Sequence, residues 1–361
     1  MFRNFKVANF RCFDELRLTG LRQINLFTGK NNVGKTALLE SLWIHSGYHN
    51  PSVGFRTDVF RGLDRFRRDE FQWDLFKDFD PTKVITTESV DENRRIQWLK
   101  ISMRPAGPQL LPASSGAREE QSVSSSTGRD VGTGKPGRLG PTEIVYKSHG
   151  FDQGPEREAT ATLDGEQVKV NGLSTGGAMV GIFLSARHGE AQEVADRLGN
   201  VIRRKEVDRV IRILSILDNR LTDLAVLPLG GVPVVHCDLG FSDYVPIQLA
   251  GDGMMRLLRV VVAIADAQGG IVCVDEIENG IHHSVMVDVW RAVGQMARDL
   301  RVQVFATTHS LECMASAHRG LDTSTHALSV YRLQRVESKI VVVHYDDETL
   351  ADALTADMEI R

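Results

Sequence analysis

Apolar and polar positions alternate in two short runs between residues 2 and 28. The second run, Ile24-Asn25-Leu26-Phe27-Thr28, reads as a buried strand that leads straight into a glycine-rich loop. Ala37, Leu38, Leu39, Leu42 and Trp43 then fall on one side at helical spacing, which predicts a helix from Ala37 to Trp43. Residues 50–80 are charged and aromatic, and 81–103 read as extended. Strands are expected again at Glu143 to Tyr146 and Ala159 to Val170, followed by one or two amphipathic helices over 190–219 and an extended stretch from Leu224 to Cys237. From Met254 the order becomes strict: a helix to Ala267, an apolar strand Ile271 to Val274, a helix Ser284 to Leu300 and a strand Val302 to Thr307. Unbroken apolar strands alternating with helices indicate a parallel sheet covered on both faces. A hairpin, Ala327 to Leu333 with Lys339 to Tyr345, closes the pattern, and no internal repeat is present.

The stretch from Pro105 to Pro141 interrupts this pattern. It holds five of the eleven prolines, many Gly and Ser, and no aromatic residue. Such a segment buries too little surface to offset its ordering entropy and is expected to be a disordered insertion. The rest is ordinary globular material: 361 residues, 42% hydrophobic and 25% charged, enough for one large domain with insertions or two modest ones. A net charge of −4 gives no global signal for nucleic acid, so any DNA contact would need a local basic face. Cys12, Cys237, Cys273 and Cys313 are far apart with no CxxC, which fits free thiols better than disulfides or a zinc knuckle. No apolar run approaches the ~20 residues of a membrane helix, and the start has no signal-peptide pattern. The expected compartment is the cytoplasm, with no membrane partner.

Gly29-Lys30-Asn31-Asn32-Val33-Gly34-Lys35-Thr36 satisfies GxxxxGK[ST] between a predicted strand and a predicted helix beginning at Ala37. Gly29 and Gly34 let the backbone fold into a nest whose N–H groups face phosphate oxygens, and the helix adds its positive end. Lys35 supplies a charge between the β- and γ-phosphates, and the Thr36 hydroxyl ligates Mg²⁺. ATP and Mg²⁺ are therefore the expected cofactors.

The strand Ile271 to Val274 ends in Asp275-Glu276. The first carboxylate suits the Mg²⁺ sphere, and the second can act as general base toward water. Thr307-Thr308-His309-Ser310 follows the next apolar strand, 34 residues beyond Asp275 at the histidine. That interval accommodates one helix and one strand, and so brings His309 to the same ligand edge of the sheet. There it can hydrogen-bond the γ-phosphate and hold Glu276 and water in line. Adjacent His282 and His283 project in different directions and lack a partner at ligand spacing, which argues against a metal site there.

The order of phosphate loop, long insertion, glycine-containing segment, Asp-Glu strand and histidine resembles ABC-type ATPase heads of the SMC, RecF and OLD families. Phe10-Arg11-Cys12-Phe13 with Ile24-Asn25-Leu26 looks like their opening strands, and Val274-Asp275-Glu276-Ile277-Glu278-Asn279-Gly280-Ile281-His282 looks like the Walker B and D-loop run of OLD-like prokaryotic AAA ATPases. Leu249-Ala250-Gly251-Asp252-Gly253-Met254-Met255-Arg256-Leu257-Leu258 resembles their signature segment, with Ala250 in place of the serine that reaches the partner's γ-phosphate. The resemblance covers about 1–50 and 225–361 and implies an α/β P-loop NTPase of ABC/SMC-head type, a mixed sheet flanked by helices, with an inserted helical arm and a disordered loop. It further implies nucleotide contacts from Arg11, Gly251 and Gly253, and a Q-loop glutamine, Gln72, near the metal.

The expected division is an amino-terminal half of the head (1–104), the insertion (105–141), strands and a helical arm (142–223), and the carboxyl-terminal half (224–361). The gap between the halves is too short for SMC coiled coils, and the 52 residues after His309 contain no Toprim-like acidic cluster. The implied activity is Mg-dependent ATP hydrolysis in a homodimer or larger homo-oligomer closed through the ATP sites, with Arg256 and Gly253 on the facing surface. The implied biology is phage defence by abortive infection, with a nuclease or toxin effector on a separate chain. The alternative is a RecF-like repair protein gripping DNA through Arg61 to Arg68 and Arg203-Arg204-Lys205.

Overall fold

Two sheets with one helix between them organise the chain. A computed structural model describes residues 1–61, 73–105, 142–164, 167–172, 179–186, 191–321 and 327–355. Beyond Pro105, the expected insertion lies outside the described residues.

The amino-terminal part supplies β1 (Phe2–Phe10), β2 (Phe13–Thr19), β3 (Ile24–Thr28), α1 (Lys35–Ser46), α2 (Ser52–Phe60), β4 (Ile85–Asp91) and β5 (Ile96–Pro105). The middle adds β6 (Thr142–His149), β7 (Arg157–Asp164), β8 (Gln167–Asn171), β9 (Gly181–Leu184), α3 (Ala191–Arg203) and α4 (Val207–Leu214). The remainder holds β10 (Asp223–Leu229), β11 (Val232–Asp238), β12 (Val245–Pro246), α5 (Asp252–Asp266), β13 (Ile271–Val274) and α6 (Met286–Asp299). It ends with β14 (Gln303–Thr307), α7 (Leu311–Gly320), β15 (Leu328–Val336), β16 (Lys339–Tyr345) and α8 (Asp347–Thr355).

One sheet is antiparallel throughout, in the order β2-β1-β4-β5-β6-β7-β8. The other runs β16-β15-β3-β14-β13-β9, parallel except for β16, and is therefore mixed as expected. Alternate residues of its strands bury on opposite faces. Ile24, Leu26, Val272, Val274, Val304 and Ala306 join one core with helices α3 to α8. Phe27, Ile271, Cys273 and Phe305 join another with α1 and the antiparallel sheet. A small β10-β11-β12 sheet packs beside α3.

Several expectations change in detail. The amphipathic stretch expected as an arm packs onto the head: Val194, Leu198, Val201, Val210, Ile213 and Leu214 share the core with Val272 and Val304. The stripe read from the sequence is the cover that one sheet face requires. The run Ala159 to Val170 is two antiparallel strands, β7 and β8. β9 was not foreseen, since four residues carry too little periodicity, yet it pairs in parallel with β13.

Helix α1 also departs from its one-sided reading. It is buried on every side except at Thr36, because it lies between the two sheets. Its polar residues therefore need partners. His45 is fully buried between Phe2 and Phe5, with Nδ1 2.7 Å from Thr87 Oγ1 and Nε2 2.7 Å from Ser89 Oγ. Burial pushes its pKa down to about 3, so the folded protein keeps the ring neutral. Between the unfolded value near 6.5 and about 3, only the unfolded chain takes up the proton. Stability should therefore fall with acidification across that window by about 1.4 kcal/mol per pH unit from this group alone. Urea titrations at pH 7 and pH 5 should show that acid slope in the wild type and a slope smaller by this amount in His45→Gln.

Candidate functional site

The carboxyl ends of β3, β14 and β13 lie side by side, so the loops that follow them converge at one edge of the parallel sheet. This is the edge at which open α/β sheets bind ligands. The loop after β3 carries the glycines. Gly29 has φ +131° and Gly34 φ +94°, both in the region that glycine tolerates. Space forbids a side chain as well: a Cβ on Gly29 would meet the Leu333 carbonyl, and one on Gly34 would meet Cys12 Sγ. Asn32, also left-handed at φ +63°, bends the loop between them.

Lys35 opens α1 and is 6% exposed. Its Nζ donates to the carbonyls of Gly29 at 2.8 Å and Lys30 at 2.9 Å, so the ammonium bridges the mouth of the loop. Burial lowers its pKa, opposed by the charges of Asp275, Glu276 and Glu278. Thr36 Oγ1 lies 3.2 Å and 3.0 Å from the two carboxylate oxygens of Asp275. A hydroxyl and a carboxylate so close form the hard oxygen donor set that suits Mg²⁺, which keeps its remaining positions for water and phosphate. Among the described residues no cluster of three His, Cys, Asp or Glu offers a different metal site.

Asp275 and Glu276 follow β13. Thr307, at the end of β14, donates from Oγ1 to Asp275 Oδ1 at 2.6 Å and accepts from the Glu276 backbone N–H at 2.7 Å. Glu276 has φ +53°, a conformation that costs energy in a residue with a side chain. Asn279 Nδ2 donates to its Oε2 at 2.7 Å, and His309 Nε2 lies 3.9 Å from its Oε1. The His309 backbone N–H is held by Glu278 Oε1 at 2.8 Å. An acid at a strained turn, with a histidine across a gap too wide for a direct hydrogen bond, can hold a water between them.

Lys35, Thr36, Asp275, Glu276 and His309 line a cavity of about 490 Å³ together with Arg11, Cys12, Asn31, Asn32, Gly34, Ala37, Arg61 and Arg335. Arg11 and Ala37 stand where expected. Val33 instead turns into the core, and Gly29 and Lys30 contribute carbonyls to Lys35. Gln72 lies outside the described residues. Arg11 and Arg61 both engage the buried Glu40 of α1, and Arg11 also pairs with Asp74 at 2.5 Å. Thr307, Glu278, Cys12 and Arg335 were not expected as site residues, and Arg61 was expected only in a DNA-gripping cluster. Thr307 had a usable signal in its position two residues before His309. Arg335 had none.

The segment resembling a signature is placed elsewhere. Gly251 and Gly253 do not line this cavity; Gly251 caps α5 at φ +106° with open space around it. Two expectations about the facing surface are corrected. Arg256 is buried, with Nη1 3.1 Å from the Ser185 carbonyl and Nη2 on the carbonyls of Asp275 and, at 3.0 Å, Glu276. Burial first, then the nearby Arg259, lowers its pKa to about 10 against the pull of Asp275, Glu276 and Glu278. Gly253 backs onto the Gly280 carbonyl, so a large side chain there would displace the turn after Glu276 from within. The signature-like helix thus grips the acidic turn of its own chain.

Of the basic clusters, Arg204 is engaged by Glu206 at 3.1 Å and Asp266 at 3.5 Å, which leaves that patch partly neutralised. From residue 62, the other cluster lies outside the described residues. The rings of His282 and His283 lie tilted against one another at 4.2 Å between centroids, and His282 Nδ1 is 2.8 Å from Ser284 Oγ. Among the described residues, no helix is long and apolar enough to cross a membrane.

The chain is similar to known ATPases. Residues 1–104 match the "AAA ATPase domain" family model, and residues 171–315 match "AAA domain, putative AbiEii toxin, Type IV TA system". An "ATP/GTP phosphatase" of Helicobacter pylori (strain ATCC 700392 / 26695) is 21% identical over 371 residues, covering 97% of each chain. Among solved structures, an SMC head bound to the C-winged helix domain of ScpA superposes with a TM-score of 0.50 at 11% identity, covering 97% of this chain and 99% of that one. The last likeness shows the fold. With the two family matches, it supports an AAA-type P-loop ATPase built on an SMC-head-like fold.

Proposed function

We propose that the chain binds ATP with Mg²⁺, hydrolyses it, and uses the cycle to open and close a homodimer. The observation that carries this reading is the meeting of Thr36, Asp275, Glu276 and His309 around the phosphate loop, from segments more than 230 residues apart, Thr36 to Asp275. Lys35 would exchange the carbonyls of Gly29 and Lys30 for the β- and γ-phosphate oxygens. Thr36 and Asp275 would hold Mg²⁺, which when bound neutralises charge on the same oxygens. Glu276, steadied by Asn279, accepts the proton of the attacking water, and His309 holds the γ-phosphate side in line. The matched phosphatase of Helicobacter pylori supports hydrolysis as the outcome.

Closure as a dimer is supported by where the signature-like segment stands. Gly251 and Asp252 are exposed, away from the chain's own phosphate loop, and Leu249 beside them is 76% exposed. A second copy facing this one would bring that helix end to the γ-phosphate, isologously in both sites. The match to the model described as a putative AbiEii toxin of a Type IV TA system favours an abortive-infection role, in which we propose that closure is relayed to a separate nuclease or toxin.

Lys35→Ala should abolish nucleotide binding or hydrolysis, since several kcal/mol of transition-state stabilisation rest on that buried cation. Normal turnover in the purified variant would remove the site assignment. Glu276→Gln should slow hydrolysis about 10²–10⁴-fold while ATP stays bound. Size-exclusion chromatography with light scattering should then show a larger species with ATP·Mg²⁺ and none with ADP. Tight ATP binding with no change in assembly would leave an ATPase of some other, monomeric kind.

A further inference from the structure

Among the described residues three arginines line the cavity, and they are not equivalent. Arg11 places Nε 2.8 Å from Glu40 and Nη1 2.5 Å from Asp74. Arg61 forms a two-pronged pair with the same Glu40, at 2.7 Å and 2.9 Å. Glu40 is 1% exposed, so these two guanidiniums answer a buried carboxylate and cannot leave it without cost. Arg335 differs. Its side chain is exposed to the cavity, and among the described residues it makes no ion pair and no hydrogen bond. It reaches the site from β15, whose Leu333 carbonyl abuts Gly29, so the strand is braced against the phosphate loop itself. Its charge is also felt inside: it leads the arginines that pull the Cys12 thiol down against burial, and Cys12 packs on Gly34.

We infer that Arg335, delivered by the carboxyl-terminal hairpin, is a nucleotide-binding residue that contacts the phosphate chain from the wall beside the glycine loop. This rests on the phosphate-site reading above. A planar guanidinium without a carboxylate partner is matched to phosphate oxygens, to which it can donate two parallel hydrogen bonds. Arg11 and Arg61 instead fix the wall through Glu40. The nucleotide would then be clamped between α1 and β15, two elements far apart in sequence.

Dissociation constants of the full chain for fluorescent ATP, ADP and GTP analogues test this in wild type, Arg335→Gln, Arg335→Lys and Lys339→Gln. Loss of one charge-assisted contact predicts roughly 10- to 100-fold weaker binding of all three nucleotides by Arg335→Gln. Arg335→Lys should retain part of the affinity, and Lys339→Gln, on the neighbouring strand, should match wild type. The salt dependence of binding should flatten in Arg335→Gln. Arg335 is exposed, so thermal melting without nucleotide should be unchanged, which separates binding from folding. Unaltered dissociation constants in Arg335→Gln would overturn the inference while leaving the phosphate site intact if Lys35→Ala still abolishes binding. A loss confined to ATP or to GTP would overturn it too, because the contact would then be to the base. If Lys35→Ala also binds normally, the phosphate-site reading itself fails.

Discussion

The Asp275 carboxylate is the point on which the site depends. It faces the Thr36 hydroxyl at 3.0 Å and receives the Thr307 hydroxyl at 2.6 Å. Those three residues close α1, β13 and β14 onto one edge of the parallel sheet. Thr307 also accepts the Glu276 N–H, and this helps to hold that residue at a positive φ. The acid thought to aim at a metal and the acid thought to activate water are therefore positioned by one hydroxyl. Replacing that hydroxyl with a methyl would free two groups at once, which is why such networks are worth more than their separate bonds.

A second constraint comes from α1. A helix that starts at a phosphate loop must present its amino end to solvent, yet here its length is shut between two sheets. The antiparallel sheet supplies Thr87 and Ser89 for His45 and Gln97 for the His45 carbonyl at 2.8 Å, while Arg11, in the turn after β1, and Arg61, just after α2, answer Glu40. The antiparallel sheet therefore does more than cover apolar surface. It fixes the rotation of the helix whose first turn carries Lys35 and Thr36, and Glu40 of that helix in turn holds two arginines of the cavity wall.

Much of this was legible because the chemistry is local. The glycine loop lies between a strand and a helix in one short window, and unbroken apolar runs such as Ile271 to Val274 announce buried parallel strands. His309 was readable from its position after such a strand. What escaped depends on long-range packing. The four residues of β9 become a strand only by pairing with β13. The helices α3 and α4 have the stripe of a surface helix, and nothing in a stripe says which surface it meets. Arg256 was placed on an outer face by analogy with its helix, whereas its guanidinium turns inward because three backbone carbonyls await it. Arg335 is one arginine in an ordinary hairpin until the strand register brings it over the loop.

The inward turn of Arg256 changes how the two ends of the site are related. Helix α5 begins at the exposed Gly251 and, one turn later, holds the peptide carbonyls of Asp275 and Glu276. Gly253 and Gly280 touch through backbone alone, with no side chain between them to absorb movement. A displacement of the first turn of α5 is therefore loaded onto the turn that carries Glu276, whose positive φ gives it little room to comply. The end of α5 that a facing protomer would press against and the carboxylate facing the cavity belong to one rigid piece. Any coupling between assembly and hydrolysis would then need no relay through the core, since the helix and the acidic turn already share two hydrogen-bonded carbonyls and a backbone contact.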